Sequence, residues 1–89
     1  MPKLRVQSGK EIVKTFIGFG FTIQSQKGSH IKLVRILGTQ KQVLVVPNHN
    51  EIDTGTIKAI YRQAGKYISE IELNPFFIQT EYYIASPFK

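Results

Sequence analysis

The sequence contains no cysteine and has only two histidines, His30 and His49. Without cysteine the chain can form neither a disulfide bond nor a thiolate metal site, and two histidines are too few for most structural zinc sites. No apolar run approaches the roughly 20 residues that a membrane-spanning helix needs, and the first residues lack the apolar stretch of a signal peptide. We therefore expect a soluble, cytoplasmic protein that folds without disulfides or a metal ion and does not act in a membrane.

Acidic residues are also scarce, and they are unevenly distributed. The 89 residues carry 12 lysines and arginines against 6 acidic side chains, which gives a net charge of +6. Residues 1–46 hold eight of the cations and one acid, a net charge of +7, whereas residues 47–89 hold four cations and five acids, a net charge of −1. Charge concentrated in this way is typical of a surface that binds the phosphate backbone of a nucleic acid, and a merely solubilising surface is the alternative.

The apolar residues are sufficient for one small domain, and their periodicity divides it into elements. The hydrophobic content of 42% is ordinary for a globular chain. A capping-box sequence at Ser8 and an apolar stripe after it predict a helix that ends near Gly18. Alternation and a valine-rich run predict three antiparallel strands over residues 21–26, 29–37 and 42–46. A second helix is predicted to begin at Asp53 or Thr54 and to end at Gly65.

The first two predicted strands meet at a turn that carries a histidine. Gly28 accepts a positive φ without penalty, so we expect Lys27-Gly28 to form the tight turn. Because strand side chains alternate, we expect Phe21, Ile23, Ile31 and Leu33 to face the core and His30 and Lys32 to face outward. The unperturbed pKa of histidine is about 6.5, so an outward histidine among lysines is suited to proton transfer at an anionic substrate.

The C-terminal part of the sequence is harder to assign. Residues 69–72 repeat the capping-box pattern and predict one short turn, which Asn74-Pro75 should stop. We therefore divide the chain into a domain over residues 1–73 and an aromatic-rich C-terminal extension over residues 74–89. That extension either packs on the domain, adds a strand, or contacts a partner.

The order helix, three-stranded meander, helix is that of a double-stranded-RNA-binding domain. Within that order the sequence resembles the HicA family of messenger-RNA interferase toxins, also called YcfA-like proteins. The resemblance runs through Gly9-Lys10-Glu11, Gly18-Phe19-Gly20-Phe21, Gly28-Ser29-His30, Val46-Pro47-Asn48-His49, and Glu51 to Gly65. It implies an α+β fold of the order α-β-β-β-α, with two helices on one face of a three-stranded antiparallel sheet.

The resemblance also implies a function. Such a protein is the toxin of a type II toxin–antitoxin system, a metal-independent and cofactor-free endoribonuclease that cleaves messenger RNA and is held inactive by a HicB-type antitoxin. The catalytic histidine of the family falls on His30. A second family histidine falls on His49, which is either a second proton-transfer group or an ordinary loop histidine. The residues that we expect to contact RNA are Lys27, Gly28, Ser29, Lys32, Lys10, Lys14 and Arg35.

Two other functions compete with a nuclease. One is a non-catalytic RNA-binding module of the same shape, which normally carries a cluster of lysines at the start of its second helix. Here that position reads Asp53-Thr54-Gly55-Thr56, and the first lysine is Lys58, which counts against the module. The other is a small protein-interaction domain, for which the basic half of the chain would be incidental.

Overall fold

The computed structural model describes residues 3–79. Over this range the chain forms three helices and three strands: α1 (Gly9–Gly18), β1 (Thr22–Lys27), β2 (His30–Leu37), β3 (Gln40–Pro47), α2 (Thr54–Ala64) and α3 (Glu70–Phe77). The strands form one antiparallel sheet in the order β1-β2-β3. The predicted α+β architecture is therefore confirmed, and α3 is added to it. No helix within residues 3–79 is long and apolar enough to span a membrane.

Helix α1 begins at the predicted capping box. The Ser8 hydroxyl accepts a hydrogen bond of 3.1 Å from the Glu11 amide, and the Glu11 carboxylate accepts one of 2.8 Å from the Ser8 amide. These two bonds satisfy backbone donors that the first turn of a helix leaves without partners. The buried stripe of α1, including Ile12 and Phe16, then packs on the sheet.

Both hairpins are closed by two-residue loops that begin with glycine. The loops are Gly28-Ser29 and Gly38-Thr39, and the glycines have φ angles of +57° and +60°. A positive φ at the first loop position alone is the pattern of a type II′ turn, whose twist suits a hairpin. The first turn is thus shifted by one residue from the predicted Lys27-Gly28 pair, and Lys27 is the last residue of β1.

Strand β1 departs from the simple alternation that the sequence predicts. The pairing with β2 shifts between Ile23 and Ser25, so that Gln24 is the extra residue of a β-bulge. Ile23 lies opposite the buried Leu33, yet its side chain is 53% exposed. The expectation that Ile23 is a core residue was wrong because β1 is an edge strand that the helices cover incompletely.

The core lies between the helices and one face of the sheet. It joins residues of β2 and β3 to all three helices, and the rings of Phe16 and Phe77 lie with their centroids 5.9 Å apart. Phe77 is fully buried. The other face of the sheet carries no helix of the described chain, and we call it the open face.

Pro75 does not stop α3, contrary to the sequence prediction. The helix continues to Phe77 because the segment before α1 holds its last turn. The Arg5 amide donates to the Phe77 carbonyl at 2.7 Å, and the Gln7 side-chain amide donates to the Phe76 carbonyl at 2.9 Å. The predicted division after residue 73 therefore falls inside α3, and residues 74–79 pack on the domain. The rest of the predicted extension lies outside the described residues.

Candidate active site

His30 is the first residue of β2 and lies on the open face. The next residue, Ile31, is buried in the core, and alternation along the strand directs the two side chains to opposite faces. The imidazole is exposed and makes no hydrogen bond with another residue of the described chain. The prediction that His30 faces outward is therefore confirmed.

Two lysines share this part of the open face with His30. Lys27 is its cross-strand partner on β1, and directly opposed Cα atoms are about 4.5–5.5 Å apart in antiparallel pairs. Lys32 follows two residues along β2, which is about 6.6 Å at the rise of a strand. Both lysine side chains therefore leave the sheet on the same face as the imidazole.

A loop after β3 is fixed against the His30 turn and against the start of α1. Pro47 pairs with His30 across the sheet, and the amide of Asn48 donates to the Ser29 carbonyl at 2.5 Å. The amide of Gly9 donates to the His49 carbonyl at 2.8 Å. The turn, the loop and the first turn of α1 therefore form one hydrogen-bonded unit.

Gly9 permits the close approach within that unit. A Cβ atom at this position would lie 2.1 Å from the Pro47 carbonyl oxygen, far inside van der Waals contact. A glycine is therefore required here for its lack of a side chain. The sequence shows a glycine at the first position of α1. It does not show that this glycine lies against the backbone of Pro47.

His49 is exposed in the same loop. Counting along the chain from Pro47 places its Cα atom within roughly 13 Å of that of His30. Its carbonyl accepts the bond from Gly9, whereas its imidazole makes no hydrogen bond within residues 3–79. Both predicted roles, a second proton-transfer group and a loop histidine, stay predictions.

Lys10 and Lys14 lie elsewhere. Both line a groove between α1 and β1 on the helix-covered side of the sheet, together with Ile31, whose side chain faces away from His30. The residues predicted to contact RNA are therefore divided between two surfaces. Lys27, Gly28, Ser29 and Lys32 surround His30, and Lys10 and Lys14 do not.

Arg35, also predicted to contact RNA, is hydrogen-bonded within the fold. Its guanidinium donates to the Phe19 carbonyl at 2.7 Å and to the Tyr67 carbonyl at 3.2 Å, and it lies 4.8 Å from the centre of the Phe21 ring. Its Nε donates at 2.7 Å to the side chain of Gln42, which is 3% exposed. These bonds direct the cation into the protein, which argues against a phosphate contact. The available signal was Gln42, a polar residue facing Arg35 across the hairpin.

The start of α2 carries negative charge. The Asp53 carboxylate caps the helix, accepting hydrogen bonds from the Thr56 hydroxyl at 2.7 Å and from the Thr56 amide at 3.1 Å. These bonds, the hydroxyl one foremost, hold the pKa of the Asp53 carboxyl below its ordinary value of 3.8. Within residues 3–79, no group of three histidine, aspartate or glutamate side chains is arranged so that it could hold a metal ion.

The fold and the family comparison agree. The structure defines an α+β domain that presents a histidine and lysines on an open sheet face. Residues 9–66, more than half of the chain, match the family model of the HicA toxin of bacterial toxin–antitoxin systems. The chain belongs to this HicA toxin family, as the resemblance in the sequence indicated. No curated protein and no solved structure shows significant similarity to the chain.

Proposed function

We propose that this chain is a metal-independent endoribonuclease that cleaves messenger RNA, with His30 as its catalytic acid or base. The observation that carries the proposal is the exposed imidazole of His30 on the open face, with Lys27 opposite it and Lys32 beside it. All three residues lie inside the segment that matches the toxin family.

The chemistry requires little beyond proton transfer because RNA supplies its own nucleophile. The ribose 2′-oxygen attacks the adjacent phosphorus, the bond to the 5′-oxygen breaks, and the products are a 2′,3′-cyclic phosphate and a 5′-hydroxyl. One proton leaves the 2′-hydroxyl and one is delivered to the 5′-oxygen. A histidine placed for either transfer contributes roughly 10²–10⁴-fold in rate. The two lysines would offset the charge that develops on the phosphorane oxygens.

The turn before His30 offers further contacts to phosphate. Gly28 has no side chain, and the space around its Cβ position is open to at least 4 Å. Backbone amides of Gly28 and Ser29 can therefore approach a phosphate oxygen closely. Lys27 and Lys32 complete the phosphate-binding set that we propose.

As the toxin of such a system, the protein has an antitoxin as its natural partner. We propose that this partner is of the HicB type and that it neutralises the toxin by closing the open face around His30. RNA and the antitoxin would then compete for the same surface.

A growth experiment tests the proposed activity. Wild-type protein and His30→Ala are expressed from the same inducible promoter, and growth and intact messenger RNA are measured together. We expect arrested growth and degraded message with the wild type and neither with His30→Ala. Equal accumulation of the two proteins is the control. Message degradation by accumulated His30→Ala would contradict the role of His30.

His49→Ala separates the two roles of the second histidine. Slower cleavage at an unchanged melting temperature would make His49 the second proton-transfer group. An unchanged rate would make it an ordinary loop histidine.

The non-catalytic RNA-binding module is the second candidate. Such a module grips phosphates with lysines at the start of its second helix. Here the start of α2 is capped by the Asp53 carboxylate, which repels phosphate at that position. This observation favours the nuclease.

A further inference from the structure

The groove between α1 and β1 has a composition different from that of the open face. It encloses about 300 Å³ and has an aliphatic lining formed by Val13, Ile17, Ile23 and Ile31. Lys10 and Lys14 lie along its α1 side. Ile17 and Ile23 are 48% and 53% exposed, so two large apolar side chains face solvent in the same groove.

The strand that borders this groove is an edge strand. All six residues of β1 are exposed, and no other strand of residues 3–79 pairs with the side that faces away from β2. An edge strand presents unpaired N–H and C=O groups to which another chain can add as a further strand. The bulge after Ile23 bends β1 at the groove, and the strand remains long enough to be extended by a partner.

We propose that an extended, acidic segment of the antitoxin adds to the free edge of β1 and inserts its alternate side chains into the α1–β1 groove. Strand addition beside a helix gives affinity through main-chain hydrogen bonds and specificity through the side chains that enter the groove. An aliphatic side chain of the segment contacts Ile17 and Ile23. Carboxylates at the following alternate positions meet Lys14 and Lys10.

The spacing of the two partners matches. Lys10 and Lys14 are separated by four helical residues, a rise of about 6 Å. Alternate residues of an extended segment are about 6.6 Å apart. One turn of α1 therefore corresponds to one side-chain repeat of the added strand, and both lysines can be paired by successive inward-facing carboxylates.

A protein segment suits this groove better than RNA does. Unstacked bases bind on aromatic rings or guanidinium planes, and neither kind of group lines the groove. Isoleucine and valine instead suit an aliphatic side chain, and the lysines supply charge complementarity to an acidic chain.

The inference rests on the proposed function in taking the antitoxin as the protein that provides the segment. Asn48 lies at one end of the groove and bonds to the His30 turn, so a partner anchored here is next to the candidate active site.

The probe for this surface is a peptide that carries the inferred chemistry. Acetyl-Thr-Ile-Thr-Glu-Thr-Glu-Thr-amide and its reversed sequence cover the two possible strand directions, with isoleucine and the two glutamates on one side. Titration into the full chain, followed by backbone amide NMR shifts, should perturb β1 and α1 and leave His30 and Lys32 unperturbed. No saturable shift at millimolar peptide, or shifts centred on the open face, would overturn the inference.

Three variants sharpen the test. Ile23→Lys should weaken peptide binding at least about tenfold, because it removes the aliphatic side chain that the isoleucine of the peptide contacts. Lys14→Glu should weaken it as well, and a peptide with lysine in place of glutamate should restore binding to that variant. Ile36→Lys is the matched control, since Ile36 is 66% exposed on the open face. Equal weakening by the control would contradict the assignment.

RNA cleavage separates this inference from the proposed function. Ile23→Lys should lose the peptide and still cleave RNA, whereas His30→Ala should bind the peptide and not cleave. If Ile23→Lys abolishes binding of an RNA oligonucleotide together with that of the peptide, the groove binds RNA and the inference is wrong. If His30→Ala cleaves while the peptide results hold, only the proposed catalytic role fails.

Discussion

The two faces of the sheet hold cationic side chains in different surroundings. On the helix-covered face, the Arg35 guanidinium donates to two backbone carbonyls and lies over the Phe21 ring. Its charge therefore stabilises the fold. On the open face, His30 is exposed and Lys32 is half-buried, and neither side chain forms a hydrogen bond within residues 3–79. A cation that is hydrogen-bonded inside the fold is not available to a ligand, whereas a cation on the open face is.

The largest expected effect lies on the helix-covered face. Phe77→Ala should destabilise the protein by about 4 kcal/mol, because it removes a fully buried ring that contacts Phe16 and Tyr61. Thermal and denaturant unfolding measure the change. Ile71→Ala in the same helix is the control, and at 85% exposure it should change stability by less than about 0.5 kcal/mol. A small loss for Phe77→Ala would mean that α3 is not part of the core.

Gly9→Ala should come next, at about 3 kcal/mol. The added methyl group would overlap the Pro47 carbonyl oxygen, so either α1 or the loop must move. Gly18→Ala is the matched control in the same helix, since its Cβ position meets nothing within 4 Å. An unfolding experiment in which the two variants lose equal stability would show that the close approach at Gly9 is unimportant.

The variants Arg35→Ala and Lys32→Ala compare one cation on the helix-covered face with one on the open face. Arg35→Ala should cost about 2 kcal/mol of stability, because it leaves three partly buried acceptors without donors. At temperatures where it is folded, it should cleave RNA normally. Lys32→Ala should keep its stability, lower cleavage about tenfold, and reduce the salt slope of RNA binding by about one. If Arg35→Ala lowered cleavage at unchanged stability, or Lys32→Ala lowered stability at unchanged cleavage, the assigned roles of these two residues would be wrong.

The smallest effect concerns Asp53 and acid. Because its pKa is lowered on folding, the ionised carboxyl stabilises α2 above its unfolded pKa near 3.8, and this contribution is lost as the pH falls through the lower folded value. Asp53→Asn keeps a capping oxygen but not the charge. Its stability should therefore fall less than that of the wild type between pH 5 and pH 2. Identical pH profiles would exclude this role of Asp53.

Much of the fold could be predicted because its signals are local. The capping box at Ser8, the alternation around His30 and the glycine turns each act within a few residues, and each gave the correct element. The outward position of His30 followed from alternation alone. The same local rules were sufficient for the architecture of the sheet.

The remaining features depend on contacts distant in sequence. The helix continues past Pro75 because residues 5–7 bond to its last turn, and no local pattern shows this. Ile23 is exposed because it lies on an edge strand that the helices cover incompletely, and the extent of that cover is not visible in the local sequence. The surfaces on which Lys10 and Arg35 lie are likewise tertiary properties, so the sequence could not show that the predicted RNA contacts are spread over different parts of the molecule.

Cleavage of RNA by the purified protein is the direct measure of whether His30 performs the reaction. Wild type and His30→Ala, matched in melting temperature, are incubated with a labelled RNA, and the ends of the products are determined. We expect 2′,3′-cyclic phosphate ends from the wild type, no cleavage when the ribose at the cut site is 2′-deoxy, and a loss of activity of at least about 100-fold in His30→Ala. Undiminished cleavage by His30→Ala, or cleavage of the 2′-deoxy substrate, would contradict this expectation.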